Sequence, residues 1–282
     1  MNASAPIELL HRIDALPALP KAAIDAMAAL RSDDSSSEHC AELIARDQAL
    51  AARTLKLANS AFYGIPRRVG SIRDAVHLLG RRTLGTMVTA VVVSQQFDPG
   101  RCPGFRFDAF WRHAVASAVA ARAIAHELCL DEELAFTCGL LHDVGRLALA
   151  AHMPGPLSQA LAQAKARDVP LHEVETEVLG ADHADIGAAI VERWQLAPDV
   201  AAAVRWHHRP SAAEAATGRL ALIVHAADAI AHALDLAGLE DEHVSEADMA
   251  AWTGLELSPA QFLRVFEQTE SQVQGLCRSL TS

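Results

Sequence analysis

The sequence has few of the residues that build β-sheets. Aromatic residues make up 5% of the 282 residues, with one Tyr among them. Runs of β-branched residues are also few, and no segment alternates between polar and apolar residues as a half-buried strand does. Hydrophobic residues instead account for 51% of the chain and are dominated by Ala and Leu, which predicts an all-α protein.

The sequence also lacks paired cysteines. Its cysteines are odd in number, scattered and without a CxxC motif; they are Cys40, Cys102, Cys129, Cys138 and Cys277. This pattern argues against a disulfide framework and predicts reduced thiols. No secretory signal is visible at the N-terminus, and no apolar run approaches the ~20 residues of a membrane helix, so we predict a cytoplasmic protein without a membrane segment.

An excess of positive charge is missing as well. The formal net charge is −11 at pH 7, whereas nucleic-acid binding usually depends on a net basic surface. The arginines that make the N-terminal part locally basic are Arg67, Arg68, Arg73, Arg81 and Arg82. A solvated surface explains them more simply than a phosphate site, so DNA binding through a helix-turn-helix near residues 71–82 ranks third among the functional hypotheses.

Residues 98–104 (DPGRCPG) divide the chain. Two Pro and two Gly in seven residues are typical of a linker. We therefore predict an N-terminal helical lobe over residues 1–98, a second helical lobe over 104–238 and a C-terminal helical extension over 239–282.

Apolar residues at helical spacing, interrupted by Pro and Gly, predict individual helices. In the first lobe a helix begins after Pro20, two short helices separate near Asp47, and Ser71 caps a helix that Gly80 ends before another over 81–96. The predicted helices of the second lobe span about 107–128, 131–141, 143–151, 157–167, 170–179, 182–195, 198–208 and 217–236. A last pair is expected near 245–252 and 259–280.

The dipeptide His142-Asp143 carries the clearest chemical signal. It lies between two apolar helical runs and is followed by Gly145. Adjacent residues on a regular helix point about 100° apart, so both side chains reach one ion only if the helix ends or bends there. Gly145 favours such a break. An imidazole nitrogen and a carboxylate oxygen form a mixed ligand pair suited to Zn, Fe, Mn or Ni.

Further histidines and an aspartate in apolar helical segments extend this pair. They are His113, His183, the adjacent His207 and His208, and Asp228. On spacing alone, a single histidine such as His113 is more often a core residue than a ligand. Two adjacent imidazoles, or a carboxylate among apolar neighbours, are harder to bury without a partner, which favours a metal site.

In this order the residues resemble the HD superfamily of metal-dependent phosphohydrolases, and within it the HDOD family of bacterial signalling proteins. The resemblance covers about residues 10–235. Besides the HD motif it rests on the segments 16–20 (LPALP), 59–64 (NSAFYG) and 71–76 (SIRDAV). It implies a two-lobed all-α protein with an N-terminal helical lobe and a C-terminal HD-like helical bundle.

The resemblance also implies roles for the site residues. Those that match the one-ion set of the HD superfamily are His113, His142, Asp143 and Asp228. Those that match the added ligands of the related HD-GYP phosphodiesterases are His183, His207 and His208. In those enzymes the counterpart of Asp143 bridges two ions, so one or two divalent ions (Fe, Mn, Zn or Ni) are expected here.

Three departures from the HD-GYP pattern concern catalysis. The Lys that follows the HDxG motif there is Arg146 here, and Arg209 stands where an acidic residue is expected after His208. The GYP signature is absent. A two-ion site would polarise a phosphoryl oxygen and generate hydroxide near neutral pH, and these departures affect substrate binding more than metal binding.

Two functional hypotheses follow, and the first is preferred. The first is a regulatory HDOD protein that transmits a signal through contacts with signalling proteins and retains a metal site. No receiver, GGDEF or EAL segment is recognisable, so its input is expected to arrive through binding. The second is a metal-dependent phosphohydrolase or phosphodiesterase acting on a nucleotide or cyclic dinucleotide, in which Asp143 bridges the ions and Arg146 steadies a phosphate.

Overall fold

The fold is all-α, as predicted. A computed structural model describes residues 19–97, 102–236 and 249–280, and all regular secondary structure within them is helical. Part of the expected linker, residues 98–101, and the segment 237–248 lie outside the described residues.

The described residues form two compact units. The N-terminal unit comprises residues 19–96 together with 270–280, and the central unit comprises the described residues between 97 and 269. The helices of the N-terminal unit are α1 (Lys21–Arg31), α2 (Ser37–Ala45), α3 (Gln48–Ala58) and α4 (Ile72–Val93), with a short 3-10 turn at Ala61–Tyr63.

Local capping explains where these first helices begin. The Ser36 hydroxyl accepts a hydrogen bond from a backbone N–H in the first turn of α2, Asp47 does the same for α3, and Ser71 for α4. At Gly80 the φ angle of 81° breaks α4 into two helical segments, as predicted. The Arg81 guanidinium donates to the carbonyl oxygens of Ser32 and Ser35, so this arginine of the basic group ties the α1–α2 loop to α4.

The core of the N-terminal unit forms where α1, α2 and α3 each pack against α4. Its largest fully buried side chains are Met27, Ile44, Leu57, Leu84 and Met87. Burial of these side chains removes a continuous apolar surface from water and stabilises the four helices as one body.

The central unit carries the remaining helices, most within about two residues of their predicted bounds. They are α5 (Phe107–Glu127), α6 (Glu132–Leu141), α7 (Val144–His152), α8 (Pro154–Arg167), α9 (Leu171–Leu179), α10 (His183–Arg193), α11 (Pro198–Trp206), α12 (Ala215–Ala233), α13 (Met249–Gly254) and α14 (Pro259–Leu280), with α14 entering the N-terminal unit after Thr269. The start of α8 was placed too late, and α12 ends at Ala233 rather than near 236. Helix α8 begins at Pro154 rather than near 157, because a proline in the first turn lacks only an N–H that has no helical partner.

Small residues let the central helices approach closely. Helix α5 packs against α6 and α12. The shared core contains Ala120, Ala121, Ile124, Ile223, Ala227 and Ile230, all fully buried. This packing places the inward faces of α5, α6 and α12 beside one another, which positions the polar residues on them.

A second close approach joins α7 and α10 at two glycines. A Cβ atom on Gly145 would lie 2.0 Å from the His183 carbonyl oxygen and 2.8 Å from the Gly187 nitrogen. Only glycine fits at this crossing, and the contact brings the start of α10 against the start of α7.

Among the described residues one stretch, Glu132–His152, is long and apolar enough to cross a membrane by length and composition. In the structure it is two helices, α6 and α7, and 78% of its most apolar window is buried inside the protein. Burial of this extent is typical of core helices.

Candidate metal centre

The site forms at the break between α6 and α7. His142 ends α6 and Asp143, with φ −102° and ψ 11°, precedes α7, so the helix is interrupted at this dipeptide, as predicted. The two residues are 1% and 3% exposed, respectively. Because the backbone leaves helical geometry at Asp143, the adjacent side chains turn into the same buried space.

Imidazoles from three helix ends surround the Asp143 carboxylate. Its Oδ1 lies 3.0 Å from His183 Nε2 and 3.7 Å from His207 Nε2. Its Oδ2 lies 3.6 Å from His142 Nε2. Residues separated by 65 positions in the chain therefore meet at one carboxylate.

The Asp228 carboxylate is surrounded in the same way. Its Oδ1 lies 2.8 Å from His113 Nε2, 3.3 Å from His232 Nε2 and 3.7 Å from His142 Nε2. His142 thus faces both carboxylates and joins the two halves of the cluster.

His208 completes the half around Asp143. Its Nε2 lies 2.8 Å from His183 Nε2, and its ring stacks on that of His172 with centroids 4.1 Å apart. All seven residues predicted as metal ligands therefore lie in one cluster. The sets whose ligand atoms all lie within 4.8 Å of one another are Asp143, His183, His207 and His208; His113, His142 and Asp143; and His113, Asp228 and His232.

The ring orientations of His142 and His207 fit metal binding. The Nδ1 atoms lie 2.7 Å from the Gly139 carbonyl oxygen and 2.6 Å from the Val204 carbonyl oxygen, respectively. A carbonyl only accepts, so each Nδ1 carries the proton and each Nε2 presents a lone pair. Both Nε2 atoms are buried and have no hydrogen-bond partner among the described residues.

The spacing of these orphaned nitrogens also fits a divalent ion. Separations of 3.6 and 3.7 Å from the carboxylate oxygens are too long for hydrogen bonds. Two ligands that each lie ~2.1 Å from one ion are roughly 3 to 4 Å apart. An ion between nitrogen and oxygen would satisfy both buried groups, and the donor set suits Zn, Fe, Mn or Ni.

A buried carboxylate behind the cluster holds His183. Glu175, in α9, is 0% exposed, and its Oε2 accepts from the His183 backbone N–H at 2.8 Å and lies 2.5 Å from His183 Nδ1. This contact fixes the ring so that Nε2 points at Asp143. Metal-binding histidines commonly have such a carboxylate on the other ring nitrogen.

Burial and neighbouring charges set the protonation of the central groups. Burial alone would raise the pKa of Asp143, but His142 and Arg146 hold it well below its ordinary value. Burial would lower the pKa of His183, but the Glu175 and Asp143 carboxylates outweigh it and raise this pKa to about 10. In the metal-free protein the cluster therefore contains an ionised carboxylate facing a protonated imidazole.

The adjacent histidines His207 and His208 are neutral. Burial, followed by the neighbouring His142, lowers the pKa of His207 to about 3. Burial and the adjacent His207 also lower the pKa of His208 well below its ordinary value. Neutral imidazoles are the protonation state that binds metal.

The two arginines that depart from the HD-GYP pattern have different surroundings. The Arg146 Nη1 donates to Asp143 Oδ2 at 2.8 Å, so this guanidinium lies in the cluster. The side chain of Arg209 is 59% exposed and lies 3.5 Å from Asp182, the N-cap residue of α10. Arg209 is therefore peripheral to the carboxylates.

A cavity of about 130 Å³ opens over the cluster. The cluster residues that line it are Asp143, Arg146, His183, His208, Asp228 and His232. Lys165 contributes a further basic side chain from α8, and His172 contributes an imidazole from α9 whose pKa is lowered by burial. An anion of small size would meet both cationic side chains and the carboxylate-imidazole cluster there.

A family model of the HDOD domain matches residues 16–210. This chain belongs to the HDOD family. The predicted family resemblance is therefore confirmed, although the matched residues end before Asp228 and His232. The HDOD chain is 31% identical, over 206 residues, to an uncharacterized protein of Treponema pallidum (strain Nichols). That match covers 71% of this chain and 39% of the Treponema protein, so the chain spans well under half of its relative's length.

Solved structures agree with the fold. A candidate phosphohydrolase from Shewanella amazonensis SB2B is 30% identical to this HDOD chain, with a TM-score of 0.71 over 93% of this chain and 97% of the other. An HDOD domain protein of unknown function from Geobacter sulfurreducens is 24% identical, with a TM-score of 0.82 over 99% and 97% of the two chains. The second likeness supports the helical fold alone.

Three residues of the site were missed by sequence reasoning. His232 follows Asp228 by four positions on α12, a spacing that places both on one helix face and that could have identified it. Glu175 and His172 had no such signal. They come to the cluster from α9, and neither lies near a ligand in the sequence.

Proposed function

We propose that this HDOD protein is a signal-transduction component that acts through protein contacts and holds a divalent metal centre in its central unit. The observation that carries the metal centre is the pair of buried Nε2 atoms, on His142 and His207, that face carboxylates without a hydrogen-bond partner among the described residues. Leaving such groups unsatisfied is costly, and a bound cation removes that penalty.

The residues that would hold one or two ions form the predicted set. They are His113, His142, Asp143, His183, His207, His208 and Asp228. Asp143 is the candidate bridge, since its two oxygens face different imidazoles. Divalent ions at such a site supply Lewis acidity and structural cross-linking between helices.

Two features support a regulatory function over hydrolysis of a cyclic dinucleotide. The cavity of about 130 Å³ is smaller than the ~300 to 1,000 Å³ typical of ligand pockets. In addition, Arg146 donates to the Asp143 oxygen that a second ion would require, which reduces the basicity of the bridging carboxylate.

The alternative function is a metal-dependent phosphohydrolase or phosphodiesterase acting on a nucleotide or cyclic dinucleotide. The observation that favours it is the lining of the cavity, where the basic side chains of Arg146 and Lys165 stand beside the cluster. One phosphate group of a nucleotide could enter the cavity while the rest of the nucleotide stayed outside it. In this version Asp143 bridges the ions and Arg146 binds the phosphate.

Metal analysis and hydrolysis assays on the purified chain distinguish the two. We expect the wild-type protein, supplied with Fe or Mn, to retain metal and to show no hydrolysis of cyclic dinucleotides or of bis(p-nitrophenyl) phosphate. His142→Ala and Asp143→Ala variants should lose the metal. Metal-dependent turnover that both substitutions abolish would establish the enzymatic alternative, and a wild-type chain that binds no ion would overturn the metal centre.

A further inference from the structure

His232 lies in the cluster without a role in the metal-binding pattern of the sequence. We propose that His232 is an additional metal ligand, which binds the same ion as His113 and Asp228. This inference rests on the proposed metal centre and adds to it a residue beyond the seven predicted ligands. It also places one ion on the side of the cluster that borders the cavity.

The distances between ligand atoms fit a shared ion. His232 Nε2 lies 3.3 Å from Asp228 Oδ1, and His113 Nε2 lies 2.8 Å from the same oxygen. Ligand atoms of all three residues lie within 4.8 Å of one another. Ligands that each lie ~2.1 Å from one ion have mutual separations of about 3 to 4 Å, so the three side chains need little movement to share an ion.

Three imidazole Nε2 atoms face one oxygen of Asp228, those of His113, His232 and His142. His113 and His232 can donate to this oxygen, but His142 cannot, because its proton lies on Nδ1. The His232 distance of 3.3 Å is longer than the ~2.7 to 2.9 Å of a charge-assisted hydrogen bond. A cation among these groups would give the His142 lone pair a partner and would replace the long His232 contact with a metal-ligand bond.

The helices that carry these residues also hold the three side chains together. Asp228 and His232 are one helical turn apart on α12, so their side chains project from the same face. Helix α12 packs against α5, which carries His113. Two rigid helices therefore present the three ligands, as expected of a preorganised site rather than of a loop.

His232 is accessible from the cavity. Its side chain and that of Asp228 are each 16% exposed, whereas His113 is 3% exposed. Both Asp228 and His232 line the cavity. An anion that enters the cavity would therefore be able to reach an ion held by these two residues.

Cobalt titration of the full chain tests the inference. Protein freed of metal by a chelator is titrated with Co²⁺, and binding is followed by visible absorption and by elemental analysis after desalting. We expect His232→Ala to weaken binding of one Co²⁺ by at least ~10-fold and to change the absorption spectrum. The matched control is His126→Ala, because His126 is 61% exposed, is bonded to Glu132 and lies outside the metal-ligand groups. Its titration should equal that of the wild type.

Each outcome decides between the two proposals. A His232→Ala protein that matches the wild type in stoichiometry, affinity and spectrum overturns the role of His232 and leaves the metal centre intact. A wild-type chain that binds no Co²⁺ overturns both. A histidine-modification measurement on the wild type covers the case in which the variant does not fold. Diethyl pyrocarbonate should label His232 in the metal-free protein but not after Co²⁺ is added, while His126 is labelled in both. Equal labelling of His232 with and without Co²⁺ would contradict the proposal.

Discussion

At the scale of single residues, the proposed metal centre would depend on groups that do not touch the ion. Glu175 is fully buried and uses one oxygen for both the backbone N–H and the ring of His183. A buried carboxylate is expensive to desolvate, so its position behind a ligand histidine points to a function in orienting that ring. The protonated Nδ1 that it fixes leaves Nε2 as the atom directed at Asp143.

Replacing Glu175 by Gln should therefore weaken metal binding without unfolding the protein. The amide keeps the shape and one acceptor oxygen but removes the charge that holds the His183 ring. We expect the affinity for Mn²⁺ or Co²⁺ to fall by about 10- to 100-fold in competition with a chromophoric chelator. Glu177 lies in the same helix as Glu175, is exposed and pairs with Arg167 of α8, so Glu177→Gln is the matched control and should bind as the wild type does. Equal affinities for the two variants would contradict the orienting role.

At the scale of elements, the crossing of α7 and α10 positions the two halves of the site. Gly145 lies two residues after Asp143, and its Cα faces the backbone of His183. A side chain at position 145 would push α7 and α10 apart and would therefore separate His183 from the Asp143 carboxylate. Gly145, which the sequence analysis connected with a break in the helix, thus also allows the close helix packing that brings the proposed ligands together.

Gly145→Ala should destabilise the central unit severely. The added methyl group would overlap backbone atoms that cannot rotate away, and overpacking of this kind costs about 3 kcal/mol or more. Gly155→Ala is the matched control, because a Cβ there meets nothing within 4 Å and its effect should stay within about 1 kcal/mol. Urea unfolding followed by tryptophan fluorescence measures both, since all four Trp lie between residues 111 and 252. A Gly145→Ala midpoint equal to that of the wild type would show that the crossing relaxes freely.

The helices were predictable where their signals are local, and the site was predictable only in part. The break near Asp47, the cap at Ser71 and the break at Gly80 depend on interactions within a few residues, so sequence reasoning placed them correctly. The convergence of the seven His and Asp residues followed from a family resemblance rather than from spacing. Glu175 and His172 reach the cluster through contacts between helices, and no local rule in the sequence encodes which faces meet.

At the scale of the whole molecule, the stability of the central unit should depend on metal and on pH. A ligand that binds only the folded state stabilises it by an amount set by its concentration relative to its Kd. The proposed ligands come from α5, α10 and α12, from the end of α11 and from the break between α6 and α7, so metal binding would cross-link most of the unit.

Chelation should lower the free energy of unfolding of this unit. With free Mn²⁺ or Co²⁺ at about 100 times its Kd, the linkage amounts to roughly 2.7 kcal/mol. We expect the tryptophan-detected thermal transition to move to lower temperature after chelator treatment and to recover when the ion is added back. A transition that is unchanged by the chelator, in protein shown to have contained metal, would argue against coupling between the site and the fold.

The metal-free protein should also lose stability on acidification. His207, with a pKa lowered to about 3, stays neutral in the folded state, whereas in the unfolded chain it takes up a proton below about pH 6.5. Its contribution to the free energy of unfolding is therefore present above pH 6.5 and is lost as the pH falls toward 3.

The pH dependence that His183 contributes runs in the opposite direction. Because its pKa is raised to about 10, its contribution to the free energy of unfolding is complete below pH 6.5 and is lost as the pH rises through 10.

Urea midpoints of chelator-treated protein at pH 5, 6.5 and 9 should consequently be highest near pH 6.5. Replacing the exposed His126 by Gln should leave the acid side of this profile unchanged, while His207→Gln should flatten it. A midpoint that rises steadily from pH 6.5 to 5 would contradict the neutral state assigned to His207.

The interruption of the helix at His142 and Asp143 restricts how the length of this protein can vary. One residue inserted within Glu132–Leu141 would rotate everything before it by about 100° relative to the dipeptide, so either the apolar face or the ligands would turn to solvent. Substitutions change one side chain at a time and leave that register intact. Variation among proteins built on this arrangement should therefore consist of exchanged residues in α6 and α7, with insertions and deletions confined to the loops between other helices.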